Sequence, residues 1–458
     1  MKLFIIICFT LFLIGCGGGG SDDTPAQPDA NNAQTNLPAE TISINLLEAP
    51  LASSQIPLVV ILVDFNDIKI SQAQTSWSQQ LFGIAQGQLN NYFLEVSQNT
   101  FSFSPALETG GDSNNDGIIQ VDLGVNHPNP SPTFPDNGIG NFDTDIAIPA
   151  LSIADANINF SAFDTNTNGI IEQNELQIMF ITAGGEQATG LMPGIWAHQS
   201  CINGQNFDSV SIMQCGSGTY TVFGERHFYF DARGNYASIG IMAHELGHGA
   251  FLLPDLYDTD GSSEGIGGFG LMGSGSWGLK VNEDPGATPV HMSAWSKFQS
   301  GFLIKSDINI SSNNILITET EQLGHQVLRI NTQDTKEYFL IENRSKYGYD
   351  AGLFMLDHAV FNGGLAIWHI DESKTTNQNE NNKLVDLEEA DGFHLDTAGN
   401  QGNRTNLFYA GNISPTYTGV LTPISTPANT NLYNNTSTNI SISNISSSGS
   451  IMHIDLHL

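Results

Sequence analysis

The segment Ile241-Met-Ala-His244-Glu245-Leu-Gly-His248-Gly-Ala sets two imidazoles four residues apart, with a carboxylate beside the first. On a helix, positions i and i+4 share one face, so His244 and His248 can aim one ring nitrogen each at a common point. Zinc takes neutral imidazole nitrogens at about 2.0–2.1 Å, and this spacing suits it. Glu245 sits one position round the helix. It can reach a water at the ion without being a ligand, take its proton and pass that proton to a leaving amine. The chemistry predicted is metal-assisted hydrolysis of a peptide bond. Ile239, Ala243, Leu246 and Ala250 form an apolar stripe on the opposite side, which argues against a solvated helix with two surface histidines. A catalytic zinc needs a third protein ligand and an open position. Asp255, Asp258 and Glu264 are the acidic candidates downstream. Tyr257, His227 and His291 are candidates to donate to the oxyanion.

Other residues could bind ions or substrate. Asp164, Asn166, Asn168, the Ile170 carbonyl, Glu172 and Glu175 match the ligand positions of a twelve-residue calcium loop, with Gly169 at the sharp turn. A strand rather than a helix follows, so this loop would hold calcium without a full helix–loop–helix, and one or two structural calcium ions are expected. Asp112, Asn114 and Asp116 begin a second such loop, but Leu123 stands where the bidentate Glu belongs. Either Leu176–Thr182 leading into Gly184-Gly185, or Ile195–His198, would supply an edge strand for substrate backbone. His198 itself reads as a satisfied core histidine.

The elements that must position these groups follow from periodicity. Pro57–Phe65 is a near-continuous apolar run, as is Leu176–Thr182, and both read as buried strands. Helical spacing covers residues 74–98, Ala147–Ala156, Ser238–Ala250 and Val290–Gln299, and Phe101–Phe103 alternates as a strand would. After Gly301 the texture changes to short alternating strands. The fold class expected is α+β: a catalytic domain over 55–303 with a zinc-binding active-site helix, then a β-rich module over 304–458.

The chain has 458 residues, with 14 Lys and Arg against 47 Asp and Glu, a net charge of −33. A surface this acidic repels phosphate backbones and excludes nucleic-acid binding, as it excludes adhesion to anionic lipid through a basic patch. Metal cations are favoured.

Beyond the zinc helix, the chain resembles the immune inhibitor A family of secreted bacterial zinc metalloproteases. HELGH (244–248), LPDLYD (253–258), EGIGGFGLMGSGSW (264–277), PVHMSAWSKFQSGFL (289–303), YFLIENRSKYGYD (338–350), GLAIWHIDES (364–373) and KLVDLEEADG (383–392) all resemble family blocks. So do VVILVDF near the start and the stretch from LNNYF to EVSQNTFSF. The resemblance implies a metzincin-like protease domain, with His244 and His248 as zinc ligands, Glu245 as base, Asp255 as third ligand and Met272 in a methionine turn beneath the metal. One departure stands out. The metzincin pattern puts a glycine three residues after the second His and the third ligand three further on. Those positions here are Phe251 and Pro254, so Asp255 falls one residue late.

At the start, Met1-Lys2 and the apolar run Leu3–Ile14 form an export signal too short to span a bilayer. Leu13-Ile14-Gly15-Cys16 resembles the lipobox of bacterial lipoproteins. It implies removal of residues 1–15, a lipid on Cys16, a flexible tether over 16–54, and a protein anchored in the bacterial envelope, at the outer membrane or cell surface. Membrane contact is expected only through that anchor, and a monomer is expected. With so short a tether, little or no inhibition by a propeptide is expected. Cys8 leaves with the signal and Cys16 carries lipid, so Cys201 and Cys215 are expected to form one disulfide in an oxidising compartment. A Cys/Cys metal site is the weaker alternative. The substrates expected are proteins or peptides. A catalytically silent surface-binding protein and a zinc aminopeptidase are the other readings. Retention of Glu245 beside both histidines opposes the first.

Overall fold

The computed structural model describes residues 54–458 except 111–114, 130–141, 228–234, 304, 358–360 and 393–394. The signal segment, Cys16, the tether, and Asp112 and Asn114 of the second candidate calcium loop lie outside the described residues.

The first apolar run becomes β1 (Ser54–Asp64). Successive strand residues face opposite sides, and both sides of β1 are covered. Leu58, Val60 and Leu62 enter one apolar cluster, while Val59, Ile61 and Val63 enter another. That is why the run lacks polar alternation. The expected helix over 74–98 is two helices, α1 (Gln74–Phe82) and α2 (Leu89–Val96). The chain leaves the first at Gly83 in extended backbone, and Gln88 Oε1 accepts from Ala85 N to close the turn between them.

Then follow β2 (Phe101–Pro105), β3 (Ile118–Asp122), α3 (Ile148–Ala154) and β4 (Gln177–Glu186). Next come β5 (Gly194–Ile195), β6 (His198–Ser200), the small ribbon β7 (Asn206–Phe207) and β8 (Val210–Ser211), β9 (Tyr220–His227) and β10 (Asn235–Tyr236). Apart from that ribbon, these strands form one sheet. β4 lies between β1 and β9, all parallel, and β2 and β3 pair parallel with β1. β6 and β10 pair antiparallel with β9.

The helix α4 (Ile239–Phe251) lies in the first cluster, with Met242, Ala243 and Leu246 buried, whereas α3 covers the other side. The helix expected over Val290–Gln299 is only α5 (Ala294–Gln299), because Ser293 caps it by accepting from Ser296 N.

The rest is strand, turn and short helix. β11 (Lys305–Ile308), β12 (Ser312–Thr318), β13 (Val327–Asn331), β14 (Glu337–Arg344), β15 (Gly364–Asp371), β16 (Val385–Leu387), β17 (Ser441–Ser443) and β18 (Ile451–His457) complete the order. They form a five-stranded sheet, β11-β13-β14-β15-β16, and a three-stranded one, β12-β18-β17. Tyr338, Leu340 and Trp368 of the larger sheet belong to the same apolar cluster as α4. Mixed helices and strands thus agree with α+β, although the first sheet is mainly parallel.

Candidate metal centre

α4 is buried along nearly its whole length, which its Ala, Gly, Ile, Leu and Met content permits. Gly247, between the two histidines, lets another side chain approach closely. A Cβ there would stand 2.7 Å from Met272 Sδ, so the methionine packs directly against the helix. The helix ends at Leu252, which is left-handed at φ 55. Leu252 N donates to His248 O and Leu253 N to Gly247 O. This is a left-handed (αL) C-cap with leucine where glycine is usual. It sits one residue beyond the metzincin glycine position, and so absorbs the extra residue before Asp255.

The reversal turns Asp255 back onto the helix. Its Oδ1 lies 3.2 Å from His244 Nε2 and 3.1 Å from His248 Nε2, and the two Nε2 atoms are 3.2 Å apart. His244 Nδ1 faces Leu271 O at 3.0 Å, and His248 Nδ1 faces Leu253 O at 2.6 Å. A carbonyl only accepts, so each Nδ1 carries the proton and each Nε2 presents a lone pair. In the neutral rings neither Nε2 then has a proton to give, and Asp255 Oδ1 is buried without a hydrogen bond. Three electron-rich atoms in a triangle are costly to bury alone and suit a cation. Ligands on a tetrahedral zinc at about 2.0–2.1 Å lie about 3.3 Å apart, close to the edges of this triangle. Among the described residues, this is the one group of three His, Cys, Asp or Glu side chains so placed.

The site attracts positive charge. Burial pushes His244 down, but Asp255 and Glu245 outweigh it and raise its pKa. Burial would raise Asp255, yet its two histidines hold it well below the usual carboxylate range. Glu245 is 6 % exposed, and burial raises it above an ordinary glutamate against the pull of His244 and His248. Tyr257 stacks on His244 with ring centroids 6.2 Å apart. Burial raises its phenol above its normal range, as do the charge of Asp255 and a hydrogen bond to it.

The other candidates lie elsewhere. Asp258 accepts from Asp260 N, Ser262 Oγ and Ser263 N and Oγ, and so caps its own turn. Glu264 accepts from Gly399 N. His291 is fully buried against Glu95 at 3.0 Å, and His227 is buried near Trp277. Only Tyr257 of the three oxyanion candidates stands beside the triangle. His198 faces Trp196 O and Tyr220 Oη and packs on Phe142. Leu176–Thr182 cannot offer an edge, because β4 is paired on both sides. The Ile195–His198 stretch leads into β6, outside β9, with Trp196 exposed.

In the 164–175 loop, Asp164 accepts from Asn168 N and Gly169 N, and Glu175 accepts from Thr165 N, Thr165 Oγ1, Asn166 N and Glu172 N. Asn166 and Asn168 contact Glu172, and Ile170 bridges to Ser211. Cys201 and Cys215 are joined by a disulfide.

Sequence reasoning missed Glu186. It is fully buried at the end of β4, where it accepts from Ala188 N, Ala197 N and Gly224 N. Burial pushes its pKa up to about 8. A carboxylate closing an apolar strand after Gly184-Gly185 was the available signal.

Residues 152–303 match the family model of the immune inhibitor A peptidase M6 catalytic domain. The match bears out the resemblance over that third of the chain and supports a peptidase, a hydrolase; the blocks over 338–392 lie outside it. No curated protein matches. Among solved structures, two crystal forms of wild-type OgpA from Akkermansia muciniphila resemble the chain at 14% and 12% identity, with TM-scores of 0.28 and 0.27. Each comparison covers 66% of this chain and 75% of the other. So loose a likeness carries no argument about fold or activity.

Proposed function

We propose that the protein is a zinc-dependent endopeptidase acting on extracellular or envelope proteins. The observation that carries this reading is the triangle of His244 Nε2, His248 Nε2 and Asp255 Oδ1, with both imidazole tautomers fixed by backbone carbonyls. These three atoms would hold the ion. Bound there, zinc supplies a Lewis acid that polarises a scissile carbonyl and makes a water molecule nucleophilic near neutral pH. The Glu245 carboxylate, raised by burial, accepts the water proton at Oε and delivers it to the leaving amine. The Tyr257 hydroxyl is the donor available to the developing oxyanion. Met272 packs beneath Gly247 and keeps the helix in place. Substrate backbone would lie along the Trp196–His198 edge.

We extend the proposal to location: an exported lipoprotein held through Cys16, monomeric, with no nucleic-acid partner. Among the described residues no helix is long and apolar enough to cross a membrane. Calcium in the 164–175 loop is a separate proposal carried by the sequence pattern alone. A second divalent ion per chain beside zinc would support it.

The deciding experiment combines metal analysis with a chelator-reversible casein assay on residues 21–458. The expected result is about one zinc per chain and activity lost to chelator and restored by zinc. Glu245→Gln should abolish hydrolysis and keep the zinc. Protein that holds no zinc, or that hydrolyses casein equally well after the Glu245→Gln substitution, sinks the proposal. Failure to cut N-blocked peptides would instead point to an aminopeptidase.

A further inference from the structure

Residues 256–272 run from Asp255 to just past Leu271, whose carbonyl orients His244. This loop is gripped by side chains from far along the chain. Asn377 is fully buried. Its Nδ2 donates to Leu256 O at 2.9 Å and Val385 O at 2.7 Å, and its Oδ1 accepts from Val385 N at 3.0 Å. Every bonding group of the amide is thus used, and one bond falls on the residue next to Asp255. Leu256 N in turn donates to Met272 O. At the other end, Arg344 Nη1 donates to Phe269 O at 2.5 Å, two residues before Leu271. Arg344 is itself fixed by Asp350 on Nε and Nη2, and lies near Glu342. Between these points, Glu264 N donates to Leu395 O and Gly268 N to Gln401 O.

A carbonyl that sets a ligand's tautomer must be held to a fraction of an ångström, and such outer partners tune metal affinity. The loop's own bonds, Leu256 N to Met272 O and Ile266 N to Leu256 O, close it on itself without fixing it against the rest of the molecule. Main-chain bonds to Leu395, Gln401 and His291 help to do that, and the charged hydrogen bond from Arg344 and the shared amide of Asn377 are the side-chain ties nearest the two ends.

We propose that Asn377 and Arg344 are positioning residues for the metal centre, so that the β-rich part of the chain completes the site. This rests on the zinc reading above. The alternative is that they only stabilise the fold, and zinc affinity measured apart from stability separates the two.

The test uses the full-length protein, its Asn377→Ala and Arg344→Lys variants, and Ile454→Ala as a control. Lysine keeps the charge beside Asp350 and Glu342 but lacks the planar fork. Ile454 is fully buried in β18, outside the apolar cluster around α4. Zinc dissociation constants come from competition with a chelator, at a temperature where every variant is folded, alongside thermal midpoints. Asn377→Ala and Arg344→Lys should each weaken zinc by roughly 10–100-fold. Ile454→Ala should lower the midpoint and leave zinc affinity unchanged. Wild-type affinity in both positioning variants overturns the inference, and so does equal weakening by the control. If one positioning variant fails to fold, the other decides. Failure of the underlying reading looks different: the wild type itself then binds no zinc, or binds it equally well after His244→Ala.

Discussion

Asp255 Oδ1 lies 3.1 Å from His248 Nε2, brought there by the chain reversal at Leu252. Asp258, three residues on, instead spends its carboxylate on Ser262, Ser263 and Asp260. The two aspartates should therefore fail in different ways. Asp255→Asn should weaken zinc by more than the roughly 10–100-fold typical of an outer partner. Asp258→Asn should leave zinc content intact and cost about 1–3 kcal/mol of stability through its lost turn bonds. Chelator competition and denaturant titration on both variants check this. Reversed phenotypes would move the third ligand to Asp258.

Leu252 holds φ 55 and ψ 30 while 64 % exposed. A left-handed leucine is strained by about 1–2 kcal/mol, and little burial offsets it. Leu252→Gly should stabilise the protein by about 1 kcal/mol, since relief of strain exceeds the entropy glycine adds to the unfolded chain. Chemical denaturation at matched zinc measures it. A destabilised variant would mean that the leucine side chain has contacts worth more than its strain.

Why the sequence disclosed the helix of His244 and His248 and hid its support is a matter of range. His244 and His248 share a helix face, so spacing alone pairs them. The 254–258 stretch offered two aspartates, and only the fold separates Asp255 from Asp258. The groups that orient the imidazoles are main-chain carbonyls of Leu253 and Leu271, which leave no residue-type signature. Asn377 reaches Leu256 across 121 positions, and Arg344 reaches Phe269 across 75. No local pattern carries such pairings. The position of β6 outside β9 depends in the same way on strand pairing, which is why the sequence leaves two candidate edges open. The reversal was hidden because its left-handed residue is not glycine.

Tyr257 tests the oxyanion assignment. Its hydroxyl sits with Asp255, and its ring covers His244. Tyr257→Phe keeps the stacking and removes the donor. kcat should fall by about 10²–10³, the usual loss for one such donor, with KM and zinc content little changed. A variant with full kcat would return the role to a main-chain N–H.

His369 gives the protein a pH-dependent stability distant from the chemistry. It lies between Glu337 at 3.0 Å and Glu388 at 3.1 Å, stacked on Tyr433. Burial alone would strip its proton, but the two carboxylates outweigh burial and raise its pKa to about 9. In the unfolded chain the value is about 6.5. The folded state therefore binds the proton more tightly. The stabilisation is complete below about pH 6.5 and is lost as pH rises through about 9. The shift corresponds to about 3 kcal/mol at full effect. Replacing the ring with an uncharged amide, His369→Gln, removes this term at low pH and leaves high-pH stability much less affected. Denaturant titrations at pH 6 and pH 9.5 on wild type and variant isolate the contribution, because other groups titrating in the window cancel in the difference. The gap between the two proteins should narrow by a few kcal/mol on going to the higher pH; a gap that stays constant would mean that His369 is held neutral in the fold.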